Sequence, residues 1–135
     1  MVRATRSFKL TLSPAGIDIL IESHCHLIRA TRALIAWGTT LHVAVDHLAT
    51  LPAARILANL RQLDVPRYSG EHEHHVGAPH RLKSVALAIV ERVRTVAPGQ
   101  SAPTLGAIYI VALHELAKAD RPALLEAFGR VQSSD

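Results

Sequence analysis

The chain has 135 residues, 49% of them hydrophobic and 19% charged. That composition supports one small domain or two very small ones and excludes a chain disordered throughout. Fifteen Lys and Arg against eleven Asp and Glu leave a net charge of +4, a balance that favours an anionic partner.

Residues 1–12 read MVRATRSFKLTL. Phe8, Leu10 and Leu12 alternate with Ser7, Lys9 and Thr11, the period of two that marks a half-buried strand. Ser13-Pro14 follows as an N-cap with proline at the first helical position. From Pro14 to Ala36, Ile17, Leu20, Ile21, His24, Leu27, Ile28, Thr31, Leu34 and Ile35 recur at spacings of three and four, which predicts an amphipathic helix. Gly38 is placed to close it, and Thr39 or Thr40 to cap a second helix, LHVAVDHLATL. After Pro52, AARILANLRQL reads as a third helical piece.

Residues 64–80, DVPRYSGEHEHHVGAPH, have no periodicity and read as a linker or long loop. His80-Arg81-Leu82-Lys83-Ser84 then reads as a second short basic extended segment. The run VALAIVERVRTV predicts a helix, and Thr104 caps the nearly apolar LGAIYIVALHELAKA, which should be buried on most sides. Asp120-Arg121-Pro122 opens a last short helix.

No apolar run reaches the length of a membrane span, and the basic N-terminus lacks the apolar core of a signal peptide. Neither a P-loop nor GxGxxG is present. The single cysteine, Cys25, excludes an internal disulfide and fits a reducing cytoplasm. Aromatic residues, at 4%, are too few for base-stacking platforms.

The two halves share a plan of basic extended segment, amphipathic helix, glycine-containing turn and threonine-capped apolar helix. Thr40-Leu41 matches Thr104-Leu105 at an offset of 64, and Leu10 matches Leu82 at an offset of 72. A first helix about eight residues shorter in the second half would reconcile the two. In SFKLTLSP and GTTLHVAVDHLATL, this order resembles the ribbon-helix-helix family of DNA-binding proteins. Two copies in one chain resemble its single-chain members, such as the VirC-type accessory proteins that assist conjugative DNA processing.

The expected fold is therefore mainly α with a short antiparallel β-ribbon, tandem and ribbon-helix-helix-like. Residues 1–66 would form a first unit with an extra helix, 67–79 a linker and 80–135 a second unit. The strands 6–12 and about 80–84 would pair within the chain. Without a second strand, the first would have to pair in a homodimer.

The expected function is double-stranded DNA binding without catalysis, as a transcriptional regulator or plasmid and conjugation accessory factor. A two-stranded ribbon fits the B-DNA major groove. Ser7, Lys9 and Thr11 would meet base edges, and Arg3 and Arg6 would neutralise phosphates. Arg81 and Lys83 would come from the second ribbon strand. The backbone N–H groups at Thr39, Thr40 and Thr104 would face phosphates at helix N-termini.

Two alternatives accompany this reading. One is a small helical protein-interaction module, favoured if residues 78–84 are helix or loop. The other is a metal-responsive regulator using His72, His74, His75 and His80, although this segment lacks the paired spacing of zinc sites and reads first as a solvated linker. His24 and His26 point about 200° apart on a helix and cannot share one ion. His24, on the apolar face, reads as a hydrogen-bonded core or interface residue. No cofactor or catalytic constellation is expected.

Overall fold

Leu10 and Leu12 show why a strand forms at this end of the chain. They are 4% and 0% exposed, whereas Lys9 and Thr11 between them face solvent. Each strand residue points opposite to the next, so one face is core and the other is wet. The computed structural model describes residues 5–79 and 81–133. Within them, β1 (Thr5–Leu12) leads through the Ser13 cap, whose side chain accepts from the Gly16 amide, into α1 (Pro14–Thr31). Helices α2 (Trp37–Ala49), α3 (Ala53–Gln62) and the single turn α4 (Val65–Tyr68) follow. Then come β2 (His72–Pro79), α5 (Arg81–Val96), α6 (Leu105–Ala117) and α7 (Arg121–Ser133).

The protein is thus mainly helical with one two-stranded antiparallel sheet. Its register sets Thr5 opposite Pro79, Phe8 opposite Val76 and Leu12 opposite His72. The segment expected to be a linker is the second strand. The residues expected as that strand, Arg81 to Ser84, are the first turn of α5. The pairing partner for β1 is therefore present, several residues earlier than the sequence pattern places it.

The first helix is also shorter than its periodicity implies. It ends at Thr31, and Arg32 takes the left-handed conformation (φ 56°) while its N–H caps the Ile28 carbonyl. Gly38, Thr39 and Thr40 consequently lie inside α2, whose N-cap is Ala36. In the second half, Thr104 does cap α6, accepting from the Ala107 amide at 3.1 Å.

Strand–helix–helix–helix occurs twice. The starts of β1, α1, α2 and α3, at 5, 14, 37 and 53, recur at 72, 81, 105 and 121. Eight buried positions of α2 (40–45, 47 and 48) map onto eight buried positions of α6 (108–113, 115 and 116) at a constant separation of 68. At that separation Gly38, Val43, Ala44, Leu48 and Ala49 match Gly106, Val111, Ala112, Leu116 and Ala117. In α1 and α5, Gly16, Leu20, Ser23, His24 and Leu27 match the buried Leu82, Ala86, Ile89, Val90 and Val93 at a separation of 66. The offsets of 64 and 72 suggested by Thr-Leu and Leu10–Leu82 are thus replaced by 66 to 68, and α5 (16 residues) is only two residues shorter than α1 (18 residues).

The packing follows the repeat. Helices α2 and α6 lie against each other at the centre, α1 packs on α6 as α5 does on α2, and α7 packs on α2 as α3 does on α6. Aliphatic side chains of both halves, including Leu41, Val45, Leu48, Ile108, Val111 and Leu116, form one continuous core. Burying each such side chain contributes about 1.5–3 kcal/mol against exposure. The inner face of the ribbon adds Leu10 and Leu12 to the same core. None of the described helices is long and apolar enough to cross a membrane.

Candidate nucleic-acid interface

The pleat and the register bring Lys9, Thr11, Glu73, His75 and Gly77 to the outer face of the ribbon, and all five are exposed or partly so. Lys9 lies opposite His75, and Thr11 opposite Glu73. The Lys9 ammonium reaches diagonally to the Glu73 carboxylate at 3.2 Å, with both side chains more than half exposed. A solvated pair of this kind is worth about 0–1 kcal/mol, so either partner can be exchanged for another hydrogen-bonding group at little cost. On the inner face His74 lies opposite the buried Leu10, and its Nε2 has no hydrogen-bond partner among the described residues.

The expected site residues are distributed as follows. Lys9 and Thr11 stand on the outer face. Arg6, Ser7 and His72 belong to the two strands, but their side chains are outside the described set, and Arg3 and His80 lie outside the described residues. Arg81 and Lys83 are exposed on the first turn of α5, immediately beyond the ribbon end where Thr5 meets Pro79. They flank the ribbon as helix side chains rather than read from it.

Thr39 and Thr40 are not at the α2 N-cap. Thr40 is fully buried, and its hydroxyl shares a 2.6 Å hydrogen bond with His24 Nδ1. The His24 ring also stacks on Trp37, with centroids 3.9 Å apart. Burial holds this imidazole below its ordinary pKa. His24 is therefore a core residue that ties α1 to α2, as its place on the apolar face predicts. Thr104 is exposed at the α6 N-terminus beside the exposed Gly106, so this helix end is the more open of the two. The positive end of the helix dipole lies there.

Glu73 and Gly77 are absent from the sequence expectation, and His75 enters it only as a metal candidate, because EHEHHVGAP has no apolar alternation to announce a strand. Position parity counted outward from a pairing with β1 would have separated Glu73, His75 and Gly77 from His74. Among the described residues, no group of three or more His, Cys, Asp or Glu is placed to hold a metal ion.

A second polar cluster lies inside the fold. Glu115, 1% exposed on α6, accepts from Arg55 Nη2 at 2.8 Å, from Lys118 Nζ at 3.0 Å and from the Asn59 amide. Three donors compensate the buried carboxylate. It acts on His47, its counterpart on α2, whose pKa is lowered by burial and partly restored by Glu115. Asp46 lies one turn from His42 on α2 and accepts from Arg130 on α7 at 2.8 Å. These contacts join helices across the two halves and are structural.

Comparison with protein-family models, curated proteins and solved structures finds no match to this chain.

Proposed function

We propose that the chain binds double-stranded DNA by laying the β1–β2 ribbon in the major groove, with the two strand–helix–helix units acting as a tandem ribbon-helix-helix-like pair. The observation that carries this reading is the ribbon itself. Its inner face is anchored by Leu10 and Leu12, and its outer face is solvent-facing and rich in hydrogen-bonding side chains.

Paired strands lie about 4.8 Å apart, and the major groove is about 12 Å wide, so a two-stranded ribbon fits within it. Lys9 can donate to guanine O6 and N7, Thr11 can meet several base edges, and Arg81 and Lys83 at the ribbon end can neutralise phosphates. The exposed α6 N-terminus at Thr104 suits a phosphate contact. Both strands come from one chain, so the ribbon is complete without a second copy. On this reading the chain serves as a transcriptional regulator or a plasmid or conjugation accessory factor.

The test is a fluorescence-anisotropy titration with mixed-sequence duplex DNA across a salt series. Affinity should fall with salt at a logarithmic slope of about −0.9 for each phosphate neutralised. Lys9→Ala with Thr11→Ala should weaken binding to a selected site by about 1–3 kcal/mol for each well-formed base interaction that the substitutions remove. Absence of duplex binding at low salt would refute the reading.

A further inference from the structure

The two ends of the ribbon are chemically unequal. The register places Phe8 opposite Val76, and these positions are 68 apart, the separation that relates α2 to α6. The 66-residue separation that relates α1 to α5 falls on the next pair, Lys9 and His75, so the pseudo-two-fold relation between the halves lies at the middle of the ribbon. Toward one end the outer face carries Lys9, Thr11, Glu73 and His75. Toward the other, the positions of the same parity are Thr5, Ser7, Gly77 and Pro79. A rotation about either pair brings Glu73 onto a β1 position that is not acidic, Thr5 or Ser7. A ribbon of two identical strands would carry the same groups at both ends, and this one cannot.

Resting on the DNA-binding reading, we infer that the ribbon reads a non-palindromic sequence, in which Lys9 and Glu73 together select one G·C pair at one end of the site. In the major groove guanine offers O6 and N7 as acceptors and cytosine offers its N4 amino group as a donor. Guanine O6 and cytosine N4 are hydrogen-bonded to each other, about 2.9 Å apart. The Lys9 ammonium and the Glu73 carboxylate are 3.2 Å apart, a donor and an acceptor at matching separation and of complementary polarity. Adenine in the guanine's place presents the reverse order and would set the ammonium against an amino group and the carboxylate against the thymine carbonyl. Thymine in the guanine's place keeps the order and is disfavoured because it carries a methyl group where guanine offers N7 as a second acceptor to the ammonium. Glu73 thus serves specificity, by penalising wrong pairs, more than affinity. The opposite end, where Gly77 has no side chain, lets the backbone approach the duplex beside the exposed Arg81 and Lys83.

Selection from a random duplex pool with the full chain tests this. The expected motif lacks two-fold symmetry and contains a required G·C pair near one end. Glu73→Gln, at an exposed position, should reduce the preference for that pair by about tenfold or more and raise acceptance of adenine in the cytosine's place, because glutamine pairs with adenine N6 and N7. A palindromic motif would overturn the inference while leaving DNA binding intact, as would an unchanged G·C preference in Glu73→Gln. Recovery of no motif, together with no salt-dependent duplex binding, would overturn the binding reading itself.

Discussion

The Arg92 guanidinium donates to the carbonyl of Leu51 at 2.8 Å, and its other terminal nitrogen donates to Ala49 at 2.7 Å. A side chain of α5 thereby closes the C-terminus of α2. The other half makes the same contact: His26 of α1 donates through Nε2 to the Ala119 carbonyl beyond α6 at 2.7 Å. His26 and Arg92 are 66 apart, and Leu51 and Ala119 are 68 apart, the separations that relate the buried faces of their helices. The repeat therefore extends from element order to individual hydrogen bonds.

The two caps should differ in strength. Arg92 brings a permanent positive charge to a helix C-terminus and makes two bonds, whereas His26 makes one. Arg92→Ala is expected to cost about 1.5–3 kcal/mol and His26→Ala about 0.5–1.5 kcal/mol. Urea unfolding of the two variants measures the difference, and equal losses would contradict it.

Arg32 ends α1 at φ 56°, a conformation that costs a residue with a Cβ about 1–2 kcal/mol and costs glycine nothing comparable. Arg32→Gly should therefore raise stability by up to about 1 kcal/mol, since greater freedom of glycine in the unfolded chain offsets part of the gain. A shift of the thermal midpoint upward is the readout, and a fall would show that the Arg32 side chain contributes more than its backbone strain costs.

Gly70 sits where the chain turns from α4 toward β2, against the backbone of the β1–α1 junction. A Cβ there would come within 2.5 Å of the Ser13 nitrogen and 2.6 Å of the Leu12 carbonyl oxygen. Backbone cannot give way as a flexible side chain can, so Gly70→Ala should destabilise by about 2 kcal/mol or more and loosen the ribbon. At Gly129, within α7, a Cβ would meet no atom of the described residues within 4 Å apart from its own chain neighbours and helix backbone. Gly129→Ala should stabilise by about 0.5–1 kcal/mol through helix propensity. Opposite signs in paired unfolding experiments are the expected result.

Acid should weaken the fold through its buried histidines. Burial lowers the pKa of His24, His47 and His114 below the ordinary value of 6.5. At His47, Glu115 and Asp46 oppose the effect of burial, while Arg130 and Arg55 reinforce it. At His114, Lys118 reinforces it and Glu22 and Glu115 oppose it. The unfolded chain takes up these protons near pH 6.5 and the folded chain only at lower pH. Stability is thus fully present above about 6.5 and is lost as pH falls through the folded values.

At the other extreme, burial pushes the Tyr109 phenol up to about 12 from 10.0. Its contribution is present below pH 10 and is lost between there and about 12. Thermal midpoints across the range should form a plateau at neutral to mildly alkaline pH with a decline on both sides. A midpoint unchanged between pH 7 and pH 5 would contradict the histidine assignment.

What the sequence by itself determined are the features in which local chemistry and burial agree. Phe8, Leu10 and Leu12 alternate, Ser13-Pro14 and Thr104 carry their own capping chemistry, and the apolar run after Leu105 had no way to be stable except buried. The second strand was decided only by tertiary structure. His72–Pro79 has no apolar alternation, but β1 presents a row of unpaired amides and carbonyls that this segment satisfies, and backbone hydrogen bonds do not depend on side-chain pattern. The same holds for Thr40, which reads locally as a cap and is drawn into the core because His24 on the neighbouring helix supplies its hydrogen bond. Glu73 reached the face of the ribbon by the same route, since parity along a strand is defined only once its partner and register exist.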